Sequence, residues 1–385
     1  MKLLFLTDKF IPERGGSQII FSHLYTHLTG PEVTVITRTC PGDAESDRQY
    51  PHRVLRVPYL PLPKLRSLSL GQSIARKAAQ LAAAERFDML VCGQPLETAP
   101  FGLPLARRLG IPCIVHTFAE DVTSHLHHPI FGPLVRSSLR SSTVVTTISR
   151  YTRDHLLRLG VQSDRIIVLY PGVIPDRWGR TGREAGVKER FGLAGRRVLI
   201  TVSRLIPRKG HDVVLKALPE VRRAIPDLAY LIVGDGPEEG RLRQLSIDLG
   251  LEDVVRFAGS VPNTETVDYY HASDAFAMPN RRLPNGDIEG FGLVFLEANV
   301  CGLPVIGGRS GGAVDAIEHG KTGWLVEPTS VEEVAGRILD LLGDGERARA
   351  MGEAGKRRVL EQFTWAQSGR VLGEAVALAS RNYRT

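Results

Sequence analysis

Two glutamates frame an apolar, glycine-containing segment, EGFGLVFLE, at residues 289–297. Its glycines disfavour a helical first turn, so we expect Glu289 in a loop and Glu297 in a helix that starts near Leu293. Glu289 could accept hydrogen bonds from sugar hydroxyls or stabilise positive charge at an anomeric carbon. Two solvated glutamates on a helix surface are the alternative, which fits poorly with such an apolar segment.

Two basic residues, Arg204 and Lys209, lie in the segment SRLIPRKG at residues 203–210. The segment follows a predicted strand and precedes a helix that opens near His211. Strand ends at the carboxyl edge of a parallel sheet face the ligand crevice, so we expect both cations there. Two cations at this spacing can bind a diphosphate and stabilise the charge that grows as it leaves. Exposed loop residues are the alternative, and the glutamate pair favours binding.

Backbone groups and Glu297 extend this predicted site. Loop 284–292, PNGDIEGFG, should leave N–H groups at the following helix start available to an anionic group. These N–H groups belong to Phe291, Gly292 and Leu293. Glu297 could bind the two ribose hydroxyls of a nucleotide. The pattern therefore predicts a nucleotide-sugar site in the second half of the chain.

The composition indicates two globular domains in a reducing compartment. At 385 residues, with 43% hydrophobic and 24% charged residues, the chain can bury two sizeable cores. We find no stretch of the roughly 20 apolar residues that a membrane span needs. The opening MKLLFLTD indicates a first strand rather than a secretory signal. The four cysteines form no CxxC pair, which favours the cytoplasm and argues against structural zinc.

Short apolar, β-branched segments alternate with segments of helical period along the whole chain. This alternation predicts an α/β fold with parallel sheets covered by helices on both faces. Twelve strands are too many for one open sheet, so we predict two doubly wound Rossmann-like domains. The predicted strands are 2–7, 33–37, 54–57, 89–93, 113–116, 144–149, 197–203, 230–234, 254–259, 275–279, 304–307 and 324–326.

The boundary between the domains is expected near LYPGVIPDRW, residues 169–178, where prolines and a glycine interrupt both periodicities. We therefore predict an N-terminal domain over 1–171 and a C-terminal domain over 172–363. A final helix over 364–385 is expected to pack back on the N-terminal domain.

The formal net charge of +7 arises entirely in the first half. Residues 1–171 hold 20 Lys+Arg and 13 Asp+Glu, whereas residues 172–385 hold 29 of each. This excess indicates an anionic partner such as membrane lipid, nucleic acid or a phosphorylated small molecule, or simply a solvated basic surface. The sequence has no aromatic and basic stacking platform, which argues against nucleic acid.

Residues 64–86 mix basic residues with leucine and alanine in a pattern compatible with a membrane-surface helix. Four of the five basic residues carry this prediction: Lys64, Arg66, Arg76 and Lys77. We predict a possible contact of this segment with an anionic membrane surface. An ordinary surface helix is the alternative.

Two further glycine-rich segments resemble phosphate-binding turns. Gly15 and Gly16 follow the first predicted strand, where glycine lets backbone N–H groups approach a phosphate or sugar oxygen. Steric need in a tight turn explains them equally well. The segment VGDGPEEG at 233–240 resembles a dinucleotide signature, but its proline and glutamates would place bulk and negative charge where a pyrophosphate must lie.

The chain resembles family 4 retaining glycosyltransferases of the GT-B fold. The resemblance is carried by SRLIPRKG, by the E-x7-E segment EGFGLVFLE and by SGGAVDAIEHGKTGWLVEP at 310–328. In the first half, IVHTFAED (114–121) and TISRYTRDHL (147–156) occur in the expected order. The resemblance implies a nucleotide-sugar donor in the second domain, a hydroxyl acceptor in the first, and retention at the anomeric carbon in a central cleft.

The resemblance also implies roles for individual residues. Arg204 and Lys209 match the pair that stabilises the departing diphosphate, and Glu289 matches the glutamate at the donor sugar. His116 matches a strand-end histidine that touches the transferred sugar. The implied donor-binding residues are Gly15 and Gly16 near the phosphates, Val261 at the base, Phe291, Gly292 and Leu293 at the diphosphate, and Glu297 at the ribose.

One segment departs from the family pattern. Many members follow the histidine with a glycine and place a glutamate three residues on, whereas Thr117 and Ala119 occupy those positions here. Glu120 or Asp121 is the nearest substitute.

Segment 279–298 together with SRLIPRKG is most similar to bacterial mannosyltransferases that act on phosphatidylinositol mannosides. This similarity implies a hexose transfer, with mannose from GDP-mannose, to a glycolipid or saccharide. No divalent metal or other cofactor is expected, because the Arg204 and Lys209 pair makes a cation unnecessary. The alternatives are a nucleotide-sugar epimerase or a phosphorylase on the same fold, and a non-enzymatic nucleotide-binding module.

Overall fold

The computed structural model describes residues 1–13, 15–58 and 66–384; in 66–68, His127 and Arg384 it describes the backbone alone. The chain divides into two compact units, Met1–Pro171 with Trp365–Thr385, and Gly172–Thr364. Each unit is built on its own parallel sheet, which confirms the predicted α/β class. Across the described ranges, no helix is both long and apolar enough to cross a bilayer.

The N-terminal unit contains a seven-stranded sheet within the described residues, in the order β3-β2-β1-β4-β5-β6-β7. Neighbouring strands are parallel throughout. Strands such as MLVC and CIVHT are buried along their whole length because helices cover both faces. The strands are β1 (Lys2–Leu6), β2 (Glu32–Arg38), β3 (Arg53–Val57), β4 (Met89–Cys92), β5 (Cys113–Thr117), β6 (Val144–Thr147) and β7 (Ile166–Val168).

Helices of the N-terminal unit follow the strands and pack on the sheet. Phe5 of β1 stacks on Tyr25 with ring centroids 4.2 Å apart, and the ring of Trp365 stacks on His23. The helices are α1 (Gly16–Thr26), α2 (Asp43–Gln49), α3 (Arg66–Ala84), α4 (Ala99–Leu109), α5 (Ala119–Thr123), α6 (Phe131–Ser141) and α7 (Arg150–Arg158), the C-terminal helix (Trp365–Arg384), and short 3-10 turns at His125–His127 and Ser163–Arg165.

Helix α3 contains the segment that was predicted as a possible membrane contact. Lys64 lies outside the described residues, as does the side chain of Arg66. The apolar face of α3 is buried, because Leu70, Ile74 and Ala78 pack in the core of the unit. Arg76 is exposed and Lys77 is half-buried. These apolar residues are therefore unavailable to a membrane, as expected for an ordinary surface helix. A membrane contact of α3 would depend on its basic side chains alone.

The C-terminal unit contains a six-stranded parallel sheet in the order β10-β9-β8-β11-β12-β13. Its strands are β8 (Arg197–Val202), β9 (Leu228–Val233), β10 (Val255–Gly259), β11 (Ala275–Met278), β12 (Val305–Gly308) and β13 (Gly323–Val326). Its helices are α8 (Glu184–Phe191), α9 (His211–Ala224), α10 (Glu239–Asp248), α11 (Thr266–His271), α12 (Leu293–Val300), α13 (Ala313–Ala316), α14 (Val331–Gly343) and α15 (Gly345–Gln362), with 3-10 turns at Pro175–Trp178 and Pro207–Lys209.

Strand order reverses at β1 and β4 in the N-terminal unit and at β8 and β11 in the C-terminal unit. In doubly wound sheets the loops at the carboxyl ends of such strands form the ligand crevice, because successive connections diverge there to opposite faces. The loops after these four strands are therefore the places where each unit is expected to bind a ligand.

Candidate active site

Lys209 is positioned by a tight turn between β8 and α9. The 3-10 turn Pro207–Lys209 ends at Gly210, which has a φ of 78°. A Cβ atom at Gly210 would lie 2.3 Å from the carbonyl oxygen of Pro279, so only glycine fits against the loop after β11. This contact joins the loops after the two central strands and leaves Lys209 buried, with 8% of its surface exposed.

Glu289 is positioned by close backbone packing against the glycines that follow β12. The N–H of Gly312 donates to the carbonyl oxygen of Glu289 at 2.9 Å. Cβ atoms at Gly311 and Gly312 would lie 2.2 Å from the Glu289 oxygen and 1.9 Å from the Gly290 oxygen. The sequence SGG at 310–312 therefore serves to seat the loop that carries Glu289.

Helix α12 begins after Gly292, which has a φ of 89° that favours glycine. This start agrees with the predicted helix near Leu293. No hydrogen-bond partner for the N–H groups of Gly292 and Leu293 is found in the described ranges. These N–H groups can donate to an anion, and the positive end of the helix dipole adds to the attraction.

Glu289 lies between two cations. Its Oε2 atom is 2.5 Å from Nζ of Lys209 and 3.7 Å from Nε of Arg208. Arg208 also binds Asp287, with Nη1 2.6 Å from Oδ1. Only 9% of the surface of Glu289 is exposed, so the alternative of a solvated surface glutamate is excluded.

The charge of Glu289 is fixed by this pairing. Burial alone would raise its pKa, but the charges of Lys209 and Arg208, with the hydrogen bond from Lys209, outweigh burial and lower the pKa below its ordinary value. Glu289 is therefore an ionised carboxylate that accepts hydrogen bonds and can stabilise nearby positive charge. Lys209 is its closest counter-ion.

Glu297 has different surroundings, on the helix α12. Its Oε2 atom accepts a hydrogen bond from the hydroxyl of Tyr270 at 2.9 Å. Burial raises the pKa of Glu297 to about 7, although Tyr270 and the charge of Lys209 both lower it. Near neutral pH its carboxyl group therefore exists in both protonation states, and a partner that donates hydroxyl hydrogens would favour the ionised one.

Arg204 lies at the same edge but apart from this ion pair. Its side chain is exposed and makes no hydrogen bond or ion pair to the residues that the structure describes. Val261 is half-buried in the loop that follows β10. The structure thus brings Lys209 and Glu289 together, whereas the roles of Arg204 and Val261 toward a ligand remain predictions.

The glycines of VGDGPEEG have a packing role. Gly234 and Gly236 have φ values of 130° and 156°. Cβ atoms there would lie 2.0 Å from the oxygen of Ser203 and 2.4 Å from that of Leu205. They allow this loop to pack against the Arg204 segment, which explains the sequence without a dinucleotide.

In the N-terminal unit, Gly15 and Gly16 stand at the start of α1. Neither has a φ in the left-handed region. A Cβ at Gly16 would meet no atom within 4 Å, and at Gly15 it would meet only the flexible end of Gln18. The steric alternative is therefore weak at Gly16, and its predicted contact with phosphates remains open.

His116 is buried at the end of β5, with 4% of its surface exposed. Its Nε2 atom is 2.7 Å from the hydroxyl of Tyr25, and its Nδ1 atom is hydrogen-bonded to Thr146 Oγ1. Burial lowers the pKa of His116 to about 3, so the ring is neutral. Both nitrogens are engaged inside the unit, and contact with a sugar would require one of these hydrogen bonds to open.

The carboxylates beside His116 have distinct positions. Asp121 is buried and its Oδ2 atom accepts a hydrogen bond from the N–H of Phe118 at 2.8 Å. Glu120 binds Lys9, with Oε1 2.8 Å from Nζ. Thr117 donates its hydroxyl to the carbonyl oxygen of Thr146. Neither carboxylate takes the position three residues after the histidine that the family pattern describes.

Sequence reasoning missed several residues that contact the predicted site. Arg208 lies in SRLIPRKG and Asp287 in PNGDIEGFG. Their positions next to Lys209 and close to Glu289 in the sequence could have indicated that they belong to the site. Tyr270 carried no such signal, because it reaches Glu297 from helix α11.

Family models match both halves of the chain. The model described as "Glycosyltransferase Family 4" matches residues 14–177, and the model described as "Glycosyl transferases group 1" matches residues 187–358. The chain is a family 4 glycosyltransferase. The resemblance that the E-x7-E segment and SRLIPRKG indicated is thereby confirmed for the family.

Two members of this family align over nearly the whole chain. A protein of Mycolicibacterium smegmatis, the GDP-mannose-dependent alpha-(1-6)-phosphatidylinositol monomannoside mannosyltransferase, is 36% identical, with 97% of this chain and 98% of the relative covered. The GDP-mannose-dependent monoacylated alpha-(1-6)-phosphatidylinositol monomannoside mannosyltransferase of Corynebacterium glutamicum is 31% identical, with 96% of each chain covered.

A solved structure of Anabaena Alr3699/HepE in complex with UDP has the same fold. It superposes with a TM-score of 0.83 at 21% sequence identity, and 98% of this chain and 100% of that chain are covered. The two Rossmann-like domains predicted from strand and helix alternation, and the GT-B architecture that the resemblance implied, are therefore confirmed.

Proposed function

We propose that this family 4 member is a retaining transferase that moves mannose from GDP-mannose to a hydroxyl group of a glycolipid or saccharide. The relatives named for GDP-mannose and phosphatidylinositol monomannoside support this donor and acceptor, since they align along nearly the whole chain. The C-terminal unit would bind the donor and the N-terminal unit the acceptor, in the cytoplasm, with possible peripheral contact at the membrane.

The observation that carries the proposal is the buried pair of Lys209 and Glu289 beside the available N–H groups of Gly292 and Leu293. We assign the N–H groups, Lys209 and Arg204 to the diphosphate. Glu289 would accept hydroxyl hydrogens of the sugar and stabilise positive charge at its anomeric carbon. Glu297 would accept the ribose hydroxyls.

Transfer would break the bond between the anomeric carbon and the diphosphate oxygen and form a bond from that carbon to the acceptor oxygen. The hydroxyl proton of the acceptor leaves with the GDP product. Negative charge grows on the diphosphate during this step, so fixed cations and N–H groups contribute most in the transition state. In this scheme Arg204 and Lys209 supply the positive charge, and no divalent metal takes part.

Two measurements test the proposal. Thermal unfolding with GDP, UDP and ADP should show the largest stabilisation with GDP, because a ligand that binds the folded state raises its melting temperature by mass action. GDP-mannose with vesicles that contain phosphatidylinositol monomannoside should then yield GDP and an α-mannosylated lipid, also in EDTA.

Each measurement can contradict the proposal. A larger shift with UDP or ADP would contradict the donor. Absence of product with any nucleotide sugar, alongside normal nucleotide binding, would favour the non-enzymatic binding module. Product formed only after addition of a divalent metal would contradict the metal-free scheme.

A further inference from the structure

A second group of titratable side chains lies at the carboxyl edge of the N-terminal sheet. Asp8 follows β1, Glu97 follows β4, and Asp121 lies in α5 after β5. These three strands are neighbours in the sheet and include the point where strand order reverses. We call this group the carboxyl cluster, and it comprises Asp8, Lys9, Glu97, Glu120, Asp121 and His125.

Part of the carboxyl cluster is satisfied within the protein. Lys9 binds Glu120, and one oxygen of Asp121 accepts the N–H of Phe118. The other oxygen of Asp121 lies 3.7 Å from Nδ1 of His125. The nearby carboxylate of Asp121 raises the pKa of His125, which favours its charged form.

Two carboxyl oxygens of the cluster have no such partner. The Oε2 atom of Glu97 and the Oδ1 atom of Asp8 are buried and accept no hydrogen bond from the residues that the structure describes. Glu97 is 7% exposed, and its carboxyl group interacts electrostatically with Asp8, Asp121, Lys9 and His125, so it faces the cluster. A buried polar group without a partner costs roughly 1–3 kcal/mol, so folded proteins rarely keep one without a reason.

The backbone of Glu97 is held rigidly. Gly71, in the middle of helix α3, faces the loop after β4, and a Cβ atom there would lie 1.9 Å from the carbonyl oxygen of Glu97. A glycine inside a helix costs about 1 kcal/mol relative to alanine. The close approach explains why glycine stands there and fixes the position of Glu97, as a binding site requires.

The charges of the cluster select against an anion. Four carboxyl groups stand against Lys9 and His125, which gives at most 2 − 4 = −2 when all six groups are charged. Burial, with the charges of Asp8 and Asp121, raises the pKa of Glu97 to about 8. Burial also raises the pKa of Asp8. Near neutral pH the carboxyl group of Glu97 is therefore largely protonated, so it can both donate hydrogen bonds to a neutral partner and accept them from it.

We propose that the carboxyl cluster binds the acceptor through the hydroxyl groups of an uncharged polyol ring, with Glu97 and Asp8 as its hydrogen-bond partners. This inference rests on the proposed function and assigns the acceptor chemistry of the same reaction. A phosphate of the acceptor is excluded from the cluster and must lie elsewhere.

The test measures binding in the absence of donor, so it does not depend on turnover. The full-length protein is titrated with methyl α-mannoside, mannose 6-phosphate and mannosamine, and saturation-transfer NMR reports the affinity for each probe. We expect methyl α-mannoside to bind most tightly. Glu97→Met should weaken its binding at least tenfold, whereas Glu97→Gln, which keeps a donor and an acceptor, should retain most of it.

Two controls separate binding from folding. Glu32→Met changes an exposed glutamate at the start of β2, at the opposite edge of the sheet, and should leave the affinity unchanged. Asp8→Leu, which removes both carboxyl oxygens at similar volume, supplies a second cluster variant in case Glu97→Met unfolds. The thermal shift caused by GDP should be the same in all variants, since Lys209, Arg204 and the N–H groups assigned to the diphosphate lie in the C-terminal unit.

The inference fails if Glu97→Met and Asp8→Leu bind methyl α-mannoside within twofold of the wild type. It also fails if mannose 6-phosphate or mannosamine binds more tightly than the neutral sugar, or if no probe binds at millimolar concentration. Polyol binding that depends on Glu97, in a protein that shows neither a GDP shift nor transfer, would contradict the proposed function alone.

Discussion

Glu289 in the C-terminal unit and Glu97 in the N-terminal unit are both buried carboxylates at the carboxyl edge of a parallel sheet. Glu289 lies against Lys209 and Arg208, and its pKa is lowered. Glu97 lies near other carboxyl groups, and its pKa is raised to about 8. The same residue type thus provides a permanent negative charge in one unit and a nearly neutral hydrogen-bonding group in the other.

This difference follows from what each edge must bind in the proposed reaction. A diphosphate donor brings negative charge, so its site needs cations, and Glu289 is held as a carboxylate by those cations. A neutral acceptor brings hydroxyl groups, which carboxyl groups can bind without a full counter-charge. Substitution of charged residues at each edge tests this contrast.

Removing the ammonium group of Lys209 should cause the largest loss. We expect Lys209→Met to lower kcat/KM for GDP-mannose by roughly 10²–10³-fold, because a fixed charge that acts on the leaving group is lost. The release of GDP from GDP-mannose measures this effect. Lys216→Met changes an exposed lysine on the following helix α9; it is the matched control and should retain full activity.

Neutralising the two glutamates should change stability in opposite directions. Glu289→Gln leaves Lys209 buried without its counter-ion, which costs roughly 3 kcal/mol or more and should lower the Tm by about 6–12 °C. Glu97→Gln removes a carboxyl group that must ionise in buried surroundings at high pH, so at pH 9 it should raise the Tm. Differential scanning calorimetry at pH 9 gives both values.

The effect of Glu97→Gln on stability depends on pH. Its folded pKa of about 8 exceeds the ordinary 4.5, so its contribution to stability is complete below pH 4.5 and is lost as the pH rises to about 8. The stabilisation by Glu97→Gln should therefore vanish near pH 4.5. A drop in Tm for Glu97→Gln at pH 9, like that of Glu289→Gln, would remove the contrast between the two edges.

Much of this arrangement could be predicted from the sequence, and the limits have physical causes. The strands were predicted because fully buried parallel strands are continuous apolar runs, as in AFAM and LAYLIV. Strand β7 was not predicted, because it has only three residues, Ile166–Val168, and ends close to the expected boundary.

Part of the site could be predicted from charged residues that stand in glycine-containing segments between a strand and a helix. Lys209 precedes Gly210, and Glu289 lies three residues before Gly292; both glycines have a positive φ at the start of a helix, so these segments were conspicuous. Glu97 was not singled out, because its segment GQPLETAP has no periodic or glycine pattern and its burial depends on packing against α3. The hydrogen bonds of His116 to Tyr25 and Thr146 likewise join distant parts of the chain.

Glu297 is an intermediate case. Its pKa of about 7 lies above the lowered pKa of Glu289 and below the pKa of about 8 of Glu97. Below about pH 4.5 its folded and unfolded forms are both protonated. As the pH rises to about 7 the unfolded form ionises first, so folded stability falls. We expect a loss of about 2 kcal/mol, after discounting for its partly exposed side chain.

The measurement is the Tm difference between Glu297→Gln and the wild type from pH 5 to pH 8. The variant should gain about 4–8 °C relative to the wild type across this range. Glu332→Gln, at an exposed position on α14, should show no such gain. A constant difference for Glu297→Gln would mean that its carboxyl group titrates near its ordinary value.

The smallest expected effect concerns Asp287, which binds Arg208 and so supports the cationic side of Glu289. Asp287→Asn weakens a pair whose side chains are 26% and 33% exposed, so its stability cost should be only about 0.5–1 kcal/mol. Arg337 and Asp340 form a matched pair on α14, with side chains 34% and 32% exposed and an N–O distance of 2.7 Å.

Asp287→Asn and Asp340→Asn should therefore lower the Tm by similar amounts of a few degrees. Only Asp287→Asn should reduce GDP-mannose turnover, by about two- to fivefold, because Arg208 loses the partner that orients it toward Glu289 while Lys209 remains in place. Equal turnover in the two variants would show that Lys209 alone holds Glu289, and Arg208 would then have no part in the difference between the two edges.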